Sequence, residues 1–149
     1  MIAISSCLVG INCTYKGSNH YIPKLKKLVD EGKAITICPE VLGGMSIPRD
    51  PCEINGDMVI SINQEEKTKE YYDGAYKSLE IIKKHNIEIV LLKAKSPSCG
   101  KGYIYDGSFS HRLVNGNGIT TKVLEQNGII VYNEDTIEEF LKEIEKRNI

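Results

Sequence analysis

An apolar run that stops abruptly before a cysteine is the feature that most constrains this chain. Residues 87–94 are dominated by Ile, Val and Leu without polar alternation, which predicts a strand buried on both faces of a parallel sheet. The run ends at the turn Ser-Pro-Ser-Cys-Gly of residues 96–100. Because open α/β sheets bind ligands beyond the carboxyl ends of their strands, Cys99 is expected at a ligand site.

Strand-like and helix-like segments alternate along the rest of the chain. Strands are predicted at 2–9, 34–38, 57–62 and 129–132, and helices at about 21–31, 64–85 and 118–126 and after Asn133. Two long segments, 39–53 and 101–117, are predicted to be loops near the site; the first is expected to pack and the second to contain at most short extended pieces. Gly74 interrupts a predicted helix, which indicates close packing on a neighbour. The pattern predicts an α/β fold: one domain over residues 1–149, with a mainly parallel sheet and helices on both faces in a Rossmann-like three-layer arrangement.

Composition narrows the classes of function. The chain has 149 residues and a formal net charge of −1, so no strong overall field favours nucleic acid or a membrane surface. No run of about 18 apolar residues occurs, and the first residues lack the pattern of a signal peptide. We therefore expect a cytoplasmic protein without a membrane or nucleic-acid partner.

Three of the five cysteines lie at or just after the carboxyl ends of predicted parallel strands, namely Cys7, Cys38 and Cys99. The ends of such strands share one edge of the sheet, so the three thiols are predicted to converge. A single buried cysteine often only fills space, but three at strand ends favour a metal site. The chain has no C-x2-C spacing, and thiolates suit both zinc and a 4Fe–4S cluster, so spacing alone leaves the metal open.

Other residues belong to the same predicted edge. Cys13 and Cys52 lie in the loops that carry the proposed ligands, and we interpret them as accessory thiols, since a fourth ligand would close a cluster. Tyr15, Tyr103 and Phe109 are candidates to stack on a ring. Candidates to hold a phosphate or carbonyl oxygen are Lys101, Lys16, Arg49 and Arg112.

Five motifs in order resemble those of the thiouracil desulfidase family. They are SCLVG at 6–10, YKG at 15–17, CPEVxGGxxxPR at 38–49, LKxxSPSCG at 92–100 and YDGSF at 105–109. The resemblance implies a single α/β domain in which Cys7, Cys38 and Cys99 hold an oxygen-sensitive 4Fe–4S cluster with one open iron. It also implies hydrolytic removal of sulfur from thiolated pyrimidines without net redox change of the substrate. The family's Arg-Tyr-Asp-Gly stretch reads Thr-Tyr-Lys-Gly at 14–17 here, so substrate preferences that depend on it are not carried over.

The resemblance also suggests roles for individual residues. Glu40 matches the family's proton-transfer acid, and Ser96 matches the serine near the substrate, with Ser98 as its competitor. The leading hypothesis is thus a desulfidase with Glu40 and Ser96 as catalytic residues, and with Ser98, Tyr15 and Lys101 as substrate-binding residues. Its small-molecule partner would be a thiolated nucleobase or nucleoside. The alternative is a non-catalytic iron–sulfur or zinc-binding module that carries sulfide or has a structural role.

Overall fold

A computed structural model describes all residues from 1 to 149. The strands are β1 (Ile2–Ser5), β2 (Ala34–Ile37), β3 (Cys52–Asn55), β4 (Met58–Ser61), β5 (Ile89–Leu92), β6 (Tyr103–Tyr105), β7 (Leu113–Asn115) and β8 (Ile130–Asn133). The α-helices are α1 (Pro23–Asp30), α2 (Pro39–Leu42), α3 (Thr68–Lys84), α4 (Ile119–Gln126) and α5 (Ile137–Lys146). None of the helices combines the length and apolar character that a membrane span requires.

A four-stranded sheet in the order β2-β1-β5-β8 forms the centre of the molecule. All of its pairings are parallel, with Ala3 of β1 opposite Ile35 on one side and Val90 on the other. The parallel arrangement places the carboxyl ends of β1, β2 and β5 at one edge, as predicted. Two antiparallel hairpins, β3–β4 and β6–β7, lie outside this sheet.

The central strands supply both hydrophobic cores by the alternation of their side chains. Ala3 and Val90 belong to the core shared with α3 and α4, whereas Ile4 and Leu91 belong to the core shared with α1 and α5. All four side chains are fully buried. Burial of each large aliphatic side chain contributes about 1.5–3 kcal/mol, so both faces of the sheet must be covered. The predicted three-layer α/β fold is confirmed.

Close contact between α2 and α3 explains the glycine in the middle of a helix. A Cβ atom on Gly74 would lie 2.0 Å from the Pro39 carbonyl oxygen, and one on Gly43 would lie 2.1 Å from the Glu70 oxygen. Neither helix can carry a side chain at these points without moving. The packing expected from Gly74 is therefore present, and it fixes the helix that follows Cys38.

Three segments differ from the sequence-based predictions. The first strand ends at Ser5, and residues 6–9 form a 3-10 turn, so Cys7 lies past the strand end. The segment 39–53 contains α2 and the start of β3, and the segment 101–117 contains the β6–β7 hairpin. Apolar content predicted an extended first strand, but the backbone turns there because Gly10 closes it at a φ of 94°. Tertiary contacts, not local pattern, order the two segments predicted as loops.

Candidate active site

A cavity of about 480 Å³ opens at the carboxyl edge of the parallel sheet. It is lined by residues that follow β1, β2 and β5 and by parts of both hairpins. All five cysteines are in its wall: Cys7, Cys13, Cys38, Cys52 and Cys99. The predicted convergence of Cys7, Cys38 and Cys99 at one edge is thus present.

Local structure presents each of the three predicted ligands differently. Cys7 lies in the 3-10 turn that follows β1, and Cys38 is the residue that precedes the first turn of α2. Cys99 lies in the turn after β5, where the Ser96 hydroxyl accepts hydrogen bonds from the Cys99 and Ser98 amides at 2.9 and 3.0 Å. The Ser5 hydroxyl lies 3.7 Å from the Cys99 sulfur.

Cys13 is closer to the predicted ligands than the sequence indicated. Its thiol lies close to the thiols of Cys38 and Cys7, and the Cys38 sulfur lies 3.9 Å from the Cys13 carbonyl oxygen. Cys52 occupies another part of the wall, where its sulfur lies 3.7 Å from the Asp50 carbonyl oxygen. The sequence placed both in loops near the site but carried no signal for the contacts of Cys13.

Cys13, Cys38 and Cys99 lie in surroundings that raise the pKa of their thiols. The pKa of Cys38 is raised by its hydrogen bond with Cys13 and by burial. Burial, with the nearby Cys38 and Glu40 charges, raises the pKa of Cys99 to about 12. The hydrogen bond from Cys38 lowers the pKa of Cys13, but contacts with Cys7 and burial outweigh it and raise the value to about 11. A cation must therefore displace protons when it binds these sulfurs.

Glu40 is held from both sides at the cavity wall. Arg49 donates from Nη2 to its Oε2 at 3.2 Å, and the Tyr71 hydroxyl donates to its Oε1. The side chain of Glu40 is 19% exposed, whereas that of Arg49 is 4% exposed. Burial and the adjacent Glu40 charge raise the pKa of Tyr71, so the phenol stays protonated and continues to donate. The carboxylate has a fixed orientation and still has free lone pairs towards the cavity.

Arg49 brings a buried positive charge to the thiols. It donates to the carbonyl oxygens of Cys13 and Ser46 at 2.9 and 3.0 Å, and its Nε is buried without a hydrogen-bond acceptor in the protein. A buried donor without a partner is uncommon in proteins. It fits a site that receives an acceptor from outside the chain.

The catalytic candidate Ser96 and the predicted substrate-binding residues separate into two groups. Ser96 and Tyr15 line the cavity. Ser98 is 1% exposed and shares a hydrogen bond of 2.8 Å with the Thr120 hydroxyl, and it is not part of the cavity wall. Lys101 is also outside the wall, where its Nζ pairs with Glu125 at 2.8 Å. The resemblance suggested Ser98 and the positive charge suggested Lys101, but both side chains contact α4, and the Ser98 hydroxyl also lies 3.9 Å from the Cys99 sulfur.

The arrangement of donors bears on which metal the residues fit. No group of three or more His, Cys, Asp or Glu side chains lies close enough together to hold a single ion. A cluster binds one thiolate at each of several irons, so its ligands stand farther apart than those of a single ion. Thiols from three strand ends around one cavity, with a buried guanidinium beside them, fit such an anionic group.

Sequence reasoning did not identify Tyr71 as part of the site. The helical pattern of α3 marked it only as a residue of the apolar face, and the structure puts it in the core at 1% exposure. Its hydroxyl reaches Glu40 because α2 packs directly against α3 at their glycines. A helical pattern gives the face of a helix but does not identify what that face contacts.

Two similar proteins are relevant to this site. A solved structure described as "[4Fe-4S]-dependent thiouracil desulfidase TudS (DUF523Vcz)" superposes with a TM-score of 0.93 and 38% identity, covering 97% of each chain. The Bacillus subtilis (strain 168) protein described as "Uncharacterized protein YbbK" is 43% identical over 151 residues, covering 95% of this chain and all of its own.

A family model also matches most of the chain. The model described as 2-thiouracil desulfurase matches residues 2–136, a span that contains every cysteine, Glu40, Arg49 and Ser96. The converged thiols, the oriented carboxylate and this match together lead to one conclusion. The chain belongs to the 2-thiouracil desulfurase family.

Proposed function

We propose that the protein is a 4Fe–4S-dependent desulfidase that hydrolytically removes sulfur from a thiolated pyrimidine of the thiouracil or thiouridine type. The observation that carries the proposal is the convergence of thiols from three strand ends on one cavity that also contains an oriented carboxylate. The similarity to TudS, whose description names this cofactor and activity, supports it. A cytoplasmic location is part of the proposal, because reduced thiols need a reducing compartment.

Cys7, Cys38 and Cys99 would hold the cluster, since each follows a different strand of the sheet and all three line the cavity. When bound, the cluster would supply a soft, open iron that accepts the substrate sulfur and polarises the carbon–sulfur bond. The Arg49 guanidinium would offset the negative charge of the thiolates, and its free Nε would donate to an acceptor at the site.

Glu40 would act as the base. It would take a proton from water as the water oxygen bonds to the ring carbon, and it would return that proton to the sulfur as the carbon–sulfur bond breaks. Sulfur would leave as hydrosulfide, and the hydroxyl proton would pass to solvent as the ring carbonyl forms. No electrons are gained or lost by the substrate. The Tyr71 hydroxyl and Arg49 hold the carboxylate in one orientation, which is what positioned proton transfer requires.

Ser96 would orient water or the pyrimidine edge. Its oxygen already accepts two amide hydrogen bonds, which leaves its own proton free to donate into the cavity. Because the same hydroxyl shapes the turn that carries Cys99, its removal would affect both substrate orientation and cluster binding.

Anaerobic reconstitution with iron and sulfide tests the activity. We expect the loaded protein to remove the thiocarbonyl absorbance of 2-thiouracil and to release sulfide. Glu40→Gln should keep its iron and lose activity by roughly a hundredfold or more. The matched control is Glu145→Gln, a change at an exposed position of α5, which should have no effect. A fully loaded wild-type protein that leaves 2-thiouracil intact would favour the non-catalytic alternative.

The ligand set is tested by five single cysteine-to-serine variants. Iron and acid-labile sulfide per chain should fall sharply for Cys7→Ser, Cys38→Ser and Cys99→Ser. Cys13→Ser and Cys52→Ser should retain both. Loss of the cluster in Cys13→Ser or Cys52→Ser, with retention in one of the three predicted ligands, would contradict this ligand set.

A further inference from the structure

One wall of the cavity comes from a segment to which the proposed function gives no role. Residues 105–111 follow β6 and contribute Tyr105, Phe109 and His111 to the lining. We call this segment the aromatic loop. The cysteines, Glu40 and Ser96 account for the sulfur and the edges of a pyrimidine, but they offer nothing to its flat faces.

The aromatic loop is held by a buried carboxyl group from another hairpin. Glu53 of β3 is 9% exposed, and its Oε1 accepts hydrogen bonds from the Gly107 and Phe109 amides at 3.0 and 3.1 Å. Its hydrogen-bond partners are these two backbone amides, not a cation. Burial of a carboxyl group is unfavourable unless it is hydrogen-bonded, so Glu53 and the loop stabilise each other.

The backbone of the loop adopts conformations that need such support. Phe109 and His111 have φ angles of 57° and 62°, in the region that bulky residues rarely occupy. Gly107 has a φ of 94°, and a Cβ atom there would lie 2.8 Å from the Ile54 carbonyl oxygen. Strain of this kind persists where surrounding structure fixes it, and here Glu53 bonds to the amides on both sides of the turn.

Phe109 differs from the other rings of the wall in having no partner. Tyr105 contacts His111 edge to face at 6.2 Å, and the Lys16 ammonium lies 5.7 Å from the centre of the Tyr15 ring. Of the Phe and Tyr rings that line the cavity, Phe109 alone has neither an aromatic nor a cationic neighbour. It is also only half-buried.

We propose that Phe109 is the residue on which the pyrimidine ring of the substrate stacks, and that Glu53 is a positioning residue that holds Phe109 in place. The inference rests on the proposed function for the identity of the substrate. Aromatic side chains stack on bases through their faces whatever groups the edges carry. Phe109 therefore selects a flat ring, while the sulfur-binding end of the cavity selects the thiocarbonyl.

A comparison of two probes tests the stacking directly. Uracil is flat, whereas 5,6-dihydrouracil presents similar polar edges on a puckered ring. We expect equilibrium dialysis with the cluster-loaded protein to give roughly tenfold tighter binding of uracil. Phe109→Leu should remove that preference and raise KM for 2-thiouracil more than it lowers kcat. Tyr76→Leu, a change on the exposed surface of α3, is the control and should keep the preference.

Two variants of Glu53 test its positioning role. Glu53→Ala should lose the uracil preference as Phe109→Leu does, while Glu53→Gln should keep most of it, because its side-chain oxygen can still accept both amides. Circular dichroism establishes that each variant folds. If Glu53→Ala does not fold, the comparison of Glu53→Gln with wild type and the Phe109→Leu result decide the inference.

The outcomes separate this inference from the proposed function. Equal binding of uracil and dihydrouracil by the wild type, failure of uracil to bind, or an unchanged preference in Phe109→Leu would overturn the role of Phe109. Desulfidation of 2-thiouracil in the same samples tests the proposed function alone. If the protein prefers uracil but releases no sulfide from 2-thiouracil, the role of Phe109 is supported and the proposed desulfidase activity is contradicted.

Discussion

The two edges of the parallel sheet use ion pairs in different ways. At the amino edge, Glu88 before β5 pairs with Arg147 at 2.6 Å, and the side chains are 75% and 32% exposed. At the carboxyl edge, Glu40 pairs with Arg49 at 3.2 Å, and the side chains are 19% and 4% exposed. An exposed pair costs little and contributes little, whereas a buried pair carries a desolvation penalty.

The difference indicates where function has shaped this fold. The carboxyl edge also buries Ser5, Ser6 and Glu53, while the amino edge buries mainly aliphatic residues. A chain selected only for stability would place apolar residues at both ends of the sheet. Polar groups buried around one cavity are instead expected of a site that binds and orients a reactant.

The largest effect is expected from a substitution that removes the buried Glu40–Arg49 ion pair. Arg49→Leu leaves the Glu40 carboxylate without its cation and should lower the free energy of unfolding by about 3 kcal/mol in urea titrations. Arg147→Leu at the amino edge is the matched change and should lower the free energy of unfolding far less, because solvent screens this exposed pair. Similar losses in the two variants would mean that the two edges do not differ in this respect.

A second change tests how the carboxyl edge is built. Gly74→Ala drives a Cβ atom into the Pro39 carbonyl oxygen, so α2 must move, and we expect a loss of about 2 kcal/mol with reduced iron retention. Gly128→Ala, before β8 at the amino edge, meets open space at a φ of 79°. It should cost about 1 kcal/mol and leave iron binding intact. Full iron retention in Gly74→Ala would show that the glycine contact does not fix Cys38.

The smallest expected effect concerns Tyr71 and depends on pH. Tyr71→Phe removes the donor to Glu40 and should lower stability at pH 7 by about 1.5 kcal/mol. The pKa of Tyr71 is raised in the folded protein by burial, so the unfolded chain loses this proton first as pH rises. The contribution of the Tyr71 hydroxyl to the free energy of unfolding is therefore fully present below about pH 10 and is lost as the pH rises above that value.

The difference in the free energy of unfolding between wild type and Tyr71→Phe, measured by urea titration, should accordingly become smaller at alkaline pH. Tyr76→Phe is the control, since Tyr76 is 54% exposed. A difference that stays constant above pH 10 would argue against a raised pKa for Tyr71.

The local sequence pattern was sufficient to predict the buried strand, the cap before the last helix and the close packing of a helix. The run at 87–94 predicted the buried strand β5, and Asn133 forms the expected cap, accepting from the Asp135 and Thr136 amides before α5. The glycine in α3 predicted close helix packing, which the α2 contact confirms. The signal for each of these features lies in residues close together in the chain, even where the contact itself, as at Gly74, joins distant segments.

Local pattern failed where order comes from distant residues. The β6–β7 hairpin was predicted only as short extended pieces within a loop, because the segment is rich in Gly, Ser and Asn, yet strand pairing and Glu53, more than 50 residues away in the chain, order it. Ser98 was expected near a substrate from the resemblance to the family, and Lys101 from its positive charge. Their contacts with Thr120 and Glu125 of α4 turn them away from the cavity.

The sequence by itself determined the three-layer fold and the edge at which the thiols of Cys7, Cys38 and Cys99 collect, because strand order, burial and turn chemistry are encoded locally and parallel strands share their carboxyl edge. Only the tertiary structure decided that Cys13 lies against Cys7 and Cys38, and that Tyr71 and Arg49 hold Glu40. Those contacts join segments far apart in the chain, and their geometry is set by how the helices and hairpins pack.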